Sequence, residues 1–137
     1  MYRALTRGIQ VTVTPEFLPD RSEPDSNQFF WAYHVEILNL SGERVQLRAR
    51  YWRITDEIGR LQEVRGPGVV GEQPIIEPGA AFEYSSGCPL TTPTGIMAGH
   101  YLLASERNET FHAETPAFSL DRPFAPPPGN RGSGDGR

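Results

Sequence analysis

Residues 66–84 read GPGVVGEQPIIEPGAAFEY. The first six, Gly66-Pro67-Gly68-Val69-Val70-Gly71, fit the spacing G-x-G-x-x-G. In a dinucleotide-binding fold that spacing needs a strand before it and a helix N-terminus behind it. Residues 60–64 can supply the strand. No helix can follow, because Pro74 and Pro78 stand within one or two turns and a proline inside a helix costs ~3 kcal/mol. The glycines therefore belong to a loop between strands. Pro78-Gly79 is a tight turn, since glycine supplies the positive φ that a type II turn needs after proline.

The flanking sequence has the same character. Residues 8–17 alternate, with Ile9, Val11 and Val13 on one side and Gln10, Thr12 and Thr14 on the other, as in a half-buried strand. Residues 19–27 are a polar loop. Residues 29–40 carry Trp31, Tyr33, Val35 and Ile37 on one face, and a turn follows at 40–43. In residues 44–55, Val45, Leu47, Ala49 and Tyr51 face one way and Arg44, Gln46, Arg48 and Arg50 the other. Trp52 and Ile54 break that phase, which predicts a bulge there or a strand leaving the sheet. Asp56-Glu57-Ile58-Gly59 is a hairpin turn into 60–64. Short strands are predicted at 74–77, 81–85, 99–106 and 110–120, with a long loop at 86–97.

The fold class is all-β. Six or seven strands spaced by turns predict an immunoglobulin- or fibronectin type III-like β-sandwich of about seven strands, with a partly open barrel as the alternative. One sheet takes 8–17, 29–40 and 81–85; the other takes 44–55, 60–64, 99–106 and 110–120. The expected domain is 1–124. The tail 125–137, rich in proline and glycine, is expected to be disordered, because it has too little apolar surface to offset ordering entropy.

The chain has 137 residues, a formal net charge of -4 and one cysteine. That length suits one domain. The charge argues against a nucleic-acid partner, and a lone cysteine allows no intramolecular disulfide. Residues 1–7 lack the apolar run of a signal peptide, and no segment approaches ~20 apolar residues. A cytoplasmic location and no membrane partner are expected.

The runs Gly66-Pro67-Gly68-Val69-Val70-Gly71-Glu72-Gln73-Pro74, Ile76-Glu77-Pro78-Gly79, Phe82-Glu83-Tyr84-Ser85-Ser86-Gly87-Cys88-Pro89-Leu90 and Thr92-Pro93-Thr94-Gly95-Ile96-Met97-Ala98-Gly99-His100-Tyr101 closely resemble the ApaG family. The strand at 29–37 and the segment 52–56 look like their counterparts in it, and the likeness covers about residues 5–124. It implies a fibronectin type III-like sandwich and a bacterial cytoplasmic protein of unsettled function, tied genetically to cobalt tolerance and magnesium efflux. Related domains occur in F-box proteins and in a DNA-polymerase-interacting protein, which implies a protein-interaction role. The resemblance carries over no catalytic residue.

Several groups are candidates for chemistry. Gly66, Gly68 and Gly71, with Arg65 beside them, are either a nest of amides for pyrophosphate or nucleotide, or turns that let the chain cross between sheets. Arg44, Arg48 and Arg50 are either a phosphate or acidic-partner patch or a solvated face. His34-x-Glu36 and His112-x-Glu114 each project two ligand types from one strand, but on different sheets, and His100 stands alone; no metal site is expected. Cys88, before Pro89, lacks a base in sequence reach and is read as structural. No cofactor and no enzymatic activity are expected. The leading reading is a protein-interaction module binding through the glycine loop and residues 87–99, with an unidentified protein partner and homodimerisation as an option. The alternative is a pyrophosphate or nucleotide binder at Gly66, Gly68, Gly71 and Arg65.

Overall fold

A computed structural model describes residues 1–123; the tail expected from residue 125 onward lies outside them. Ten strands are present among the described residues: β1 Tyr2–Thr6, β2 Ile9–Phe17, β3 Phe29–Asn39, β4 Val45–Asp56, β5 Leu61–Pro67, β6 Ile75–Ile76, β7 Ala81–Leu90, β8 Thr94–Ser105, β9 Thr110–Glu114 and β10 Phe118–Asp121. They form two antiparallel sheets stacked as a sandwich. One runs β1-β2-β3-β7; the other runs β10-β8-β4-β5, with β6 also paired to β4 and β9 to β8. The division of strands between the sheets is the predicted one.

The central strands follow their alternation. Phe29, Trp31, Tyr33, Val35 and Ile37 of β3 are buried, facing Ile9, Val11 and Val13 from β2 on their own sheet. Trp52, Met97, Tyr101, Leu103 and Phe118 supply much of the other inner face. Burying each such side chain stabilises by ~1.5–3 kcal/mol. Trp52 meets Tyr33, Tyr101 and Phe118 edge-on at 5.5, 6.0 and 5.8 Å between ring centroids, the arrangement the ring quadrupoles favour. Two polar ties cross the core where no disulfide does. Trp31 Nε1 donates to the Asp121 carbonyl at 3.0 Å, and the Tyr84 and Tyr101 hydroxyls bond each other.

Four expectations need correction. Residues 86–97 are not a long loop: β7 continues to Leu90, paired with β3 as far as Phe29, and β8 begins at Thr94. Tyr84, Cys88 and Leu90 keep the alternation with buried side chains. Pro89 is tolerated because β7 is an edge strand, where a missing amide breaks no ladder on the open side. Residues 110–120 are two strands, β9 and β10, interrupted around Pro116 and both paired with β8. Residues 2–6 form an additional edge strand on β2. Finally, the β4 bulge lies at Arg48, between Leu47 and Ala49, not at Trp52.

That bulge decides what β4 presents. Before it, Val45 and Leu47 face the core. After it the phase is reversed, so Trp52 and Ile54 face in while Ala49 and Tyr51 turn outward. Arg50 changes sides with them and stands opposite the buried Tyr101. The sandwich is also asymmetric. On one flank the sheets are tied together, with Glu114 N donating to Thr6 Oγ1 at 3.2 Å and Arg7 lying 4.5 Å above the Phe111 ring. On the other flank the edges β5 and β7 stand apart.

Candidate functional site

The glycine loop is a tight turn. Gly66 ends within β5, opposite Arg50. Gly68, Val70 and Gly71 have φ of +60, +42 and +81. Gly68 N donates to Arg48 O at 2.9 Å, and Val69 and Glu72 exchange both amide bonds at 2.8 Å. Val69 is fully buried, so the loop folds over its own side chain. A Cβ on Gly68 would overlap the Glu72 carbonyl oxygen. The amides of Gly68 and Val69 are thus already donated to carbonyls, whereas an anion nest needs them pointing outward.

Arg50 fastens this loop. Its Nη1 donates to Pro67 O at 3.1 Å and to Gly68 O at 3.0 Å. The guanidinium lies against Gly66, where a Cβ would come within 2.9 Å of Nη1. Arg65 extends outward instead, 4.5 Å above the Tyr51 ring and 3.5 Å from Glu63. The Arg65 guanidinium is thus engaged by Tyr51 and Glu63 on the outer face.

The arginine row is dispersed by the bulge. Arg44 pairs with Glu77 at 3.1 Å, and Arg48 donates to Gln46 and Asn108 at 2.9 Å. Arg50 points to the inner side. Among the described residues no carboxylate lies within 4.0 Å of its guanidinium.

The open flank holds a concavity in two parts. One part, about 470 Å³, is lined by Arg21, Phe29, Phe30, Ile54, Leu61 and Leu90, among others. A narrower part, about 220 Å³, is floored by Tyr33, Trp52, Met97 and Cys88, with Arg50 and Ser86 at its side. The two share Ile54, Gln62 and Pro89 as walls. Together they make a seam whose banks are the edges of β5 and β7. Arg60 Nη2 reaches Thr91 Oγ1 across it at 2.7 Å. Residues 87–89, expected in a loop, are one bank of this seam.

The histidines are not isolated. His100 stacks on His112 with centroids 4.0 Å apart and meets Tyr51 in a tilted contact at 4.9 Å, so Arg65, Tyr51, His100 and His112 form a ladder across the outer face. Burial and the His112 ring hold the His100 imidazole below its ordinary value. His34 bonds Ser85 at 2.9 Å and Glu83 at 2.8 Å on the neighbouring strand. Among the described residues no three ligating side chains are grouped to hold a metal ion. Burial raises the Cys88 thiol to about 11. Such a thiol is almost wholly protonated at neutral pH and a poor nucleophile. The Tyr33, Tyr84 and Tyr101 hydroxyls are likewise held above their usual range, chiefly by burial.

Sequence reasoning misassigns one residue of consequence and misses another. It names Arg50 but puts it on the wrong face, and the phase change between Leu47 and Trp52 is the signal that marks a slip. Asn39 gave none, yet it is fully buried and bonds Glu43 O, Ile76 O and Ser41.

Comparison with known proteins identifies the family. The family model described as the ApaG domain matches residues 19–105. Protein ApaG of Beijerinckia indica is 57% identical over 125 residues, covering 91% of this chain and 96% of that protein. Protein ApaG of Methylocella silvestris is 60% identical over 124 residues, covering 90% and 95%. A solved structure described as an ApaA protein from Bordetella pertussis superposes with a TM-score of 0.83 at 45% identity, covering 84% of this chain and 94% of that one. The matched segment spans the bulge, the glycine loop and both banks of the seam, and the chain belongs to the ApaG domain family.

Proposed function

We propose that this ApaG-family chain is a non-enzymatic protein-interaction module that receives an extended segment of a partner in the seam between β5 and β7. The observation that carries this reading is the pairing of an apolar floor with two strand edges. Edge strands offer unpaired amides and carbonyls to an added strand, and pockets beneath them take its alternate side chains. The side chains that often serve as nucleophile and base do not meet here. Cys88 is buried with a raised pKa, and its Sγ has the Pro89 carbonyl as partner. His34 and the His100–His112 stack are held by neighbours on their own sheets. No helix of the described residues is long and apolar enough to cross a membrane. On this reading the protein works in the cytoplasm, and the cation phenotypes of the family act through the partner.

A photo-crosslinking amino acid at Gln62 or at Ser86 of the full chain, activated in cells, tests this. Both positions are expected to give the same discrete adduct, and Glu36 on the outer face of β3 none. Equal adducts at all three positions, or none, would contradict the seam.

The second reading is a pyrophosphate or nucleotide site at Gly66, Gly68, Gly71 and Arg65. It is favoured by a concavity of about 250 Å³ lined by Arg65, Gly66, His100 and His112 beside the loop. Its donors would be the amides of Val70 and Gly71. Millimolar ATP or pyrophosphate that leaves the amide resonances of Gly66 to Gly71 unmoved would remove it.

A further inference from the structure

Resting on that reading, we infer that the segment received in the seam is an acidic, apolar-flanked strand of a partner protein, with one carboxylate side chain seated on Arg50. The residue comes to face the seam by the β4 bulge, which turns Arg50 to the inner side opposite Tyr101. Its Nη1 is fixed by two carbonyls of the glycine loop, at 3.1 and 3.0 Å. The Nε and Nη2 donors have no hydrogen-bond partner among the described residues. A guanidinium presents five N–H donors, and its Nε–Nη2 side matches a carboxylate with two parallel bonds. The loop thus pre-positions the fork and leaves its gripping side for a ligand. Gly66 takes part by leaving room for the guanidinium to lie flat.

The rest of the seam sets the flanking residues. Beside Arg50 the floor is Tyr33, Trp52, Met97 and Cys88. Beyond the shared walls it opens to Phe29, Phe30, Leu61 and Leu90. A strand places every second side chain on one face, ~6.6 Å apart. An added strand would therefore set an apolar side chain, a carboxylate and another apolar side chain inward at i, i+2 and i+4. Charge agrees: Arg21, Arg50 and Arg60 border the seam with Asp56 as the acid among them, although the whole chain carries -4. The two unpaired edges favour a polypeptide over a free small acid, because they bond along a backbone.

The test uses the immobilised full chain and a displayed library of random nine-residue peptides. Enriched peptides are expected to carry Asp or Glu two residues from an apolar side chain on both sides. For the best of them, replacing that acid by its amide should weaken binding about fivefold or more, as expected for a charge-assisted pair. A smaller loss, or enriched peptides without an acid, overturns the Arg50 assignment. On Arg50→Gln the acid and amide peptides should bind equally. Since that change also loosens the glycine loop, Ser86→Glu is the second variant: it offers Arg50 an internal carboxylate and should weaken the acid peptide selectively. Retained preference for the acid in both variants overturns the proposal. The seam itself is judged separately, by whether the peptide moves amide resonances of residues 61–67 and 81–90. Shifts there without acid preference leave the seam and remove Arg50. Shifts elsewhere, or no enriched peptide, remove both.

Discussion

Gly68 shows how a single position can be conformationally and sterically fixed at once. Its φ is +60, and a side chain would also strike the Glu72 carbonyl. Gly71 shares the positive φ, at +81, but faces open space. A residue forced left-handed costs ~1–2 kcal/mol, and overpacking adds ~1–3 kcal/mol. Gly68→Ala is therefore expected to destabilise by ~2–5 kcal/mol and Gly71→Ala by ~1–2 kcal/mol. Thermal melts of both variants check this, at ~3–6 °C per kcal/mol for a domain of this size. The need for glycine at 68 was legible in the spacing. Its cause was not, because it is a backbone contact made only once the loop closes over Val69. His100 carries a second residue-scale prediction. Burial and His112 lower its pKa, with Arg65 adding and Glu114 opposing, from the ordinary value of 6.5. The unfolded chain thus takes up this proton at higher pH than the folded one. His100 costs no stability above pH 6.5, and the fold loses stability as pH falls through 6.5 toward the folded value. Between pH 7 and 5.5 the melting temperature of His100→Gln should fall less than that of the parent.

At the scale of the element, alternation located β2 and β3 almost to the residue, because each keeps one phase throughout. It misread β4, where one extra residue divides Val45 and Leu47 from Trp52 and Ile54. The sequence shows that a slip occurs but not where. Pairing with β8, whose register resumes at Ala49 opposite Leu102, decides it. Segment 86–90 was missed for a different reason. Ser86, Gly87 and Pro89 are poor strand formers, and long pairing to β3 overrides their propensity. Asn39 is the element-scale staple. Its Nδ2 donates to Glu43 O at 2.8 Å and Ile76 O at 2.9 Å, and its Oδ1 accepts from Ser41. It joins the end of β3, the following turn and β6. Asn39→Asp would set an acceptor against two carbonyls in a fully buried place. The expected loss is ~2–5 kcal/mol, read from the urea midpoint at pH 7. The same slip in β4 conceals from the sequence which face Arg50 takes.

For the whole molecule, the strand partition was legible and the seam was not. Periodicity tells which residues face inward; it does not tell which two strands will lack an outer neighbour. That depends on pairings between segments some fifty residues apart, such as β3 with β7 and β4 with β8. The closed flank and the open one should differ in local stability. Amides of β3, β4 and β8 bond on both sides and should exchange only on global unfolding. Outward amides of β5 and β7 should exchange orders of magnitude faster. Native-state hydrogen exchange measures this directly, and equal protection on all five strands would contradict an open seam.

The order of pairing also has a consequence for the ribosome. As the chain emerges, β3 presents Trp31, Tyr33, Val35 and Ile37 long before its second neighbour β7 exists, and β4 waits for β8. Closing such distant partners is entropically slow, so topologies of this kind fold in milliseconds to seconds. At ~5–20 residues per second, the nascent chain spends about two to ten seconds between completing β3 and completing β7. Through that interval the early hairpin of β2 and β3 has one face unsheltered. This is when the protein depends most on its surroundings in the cell.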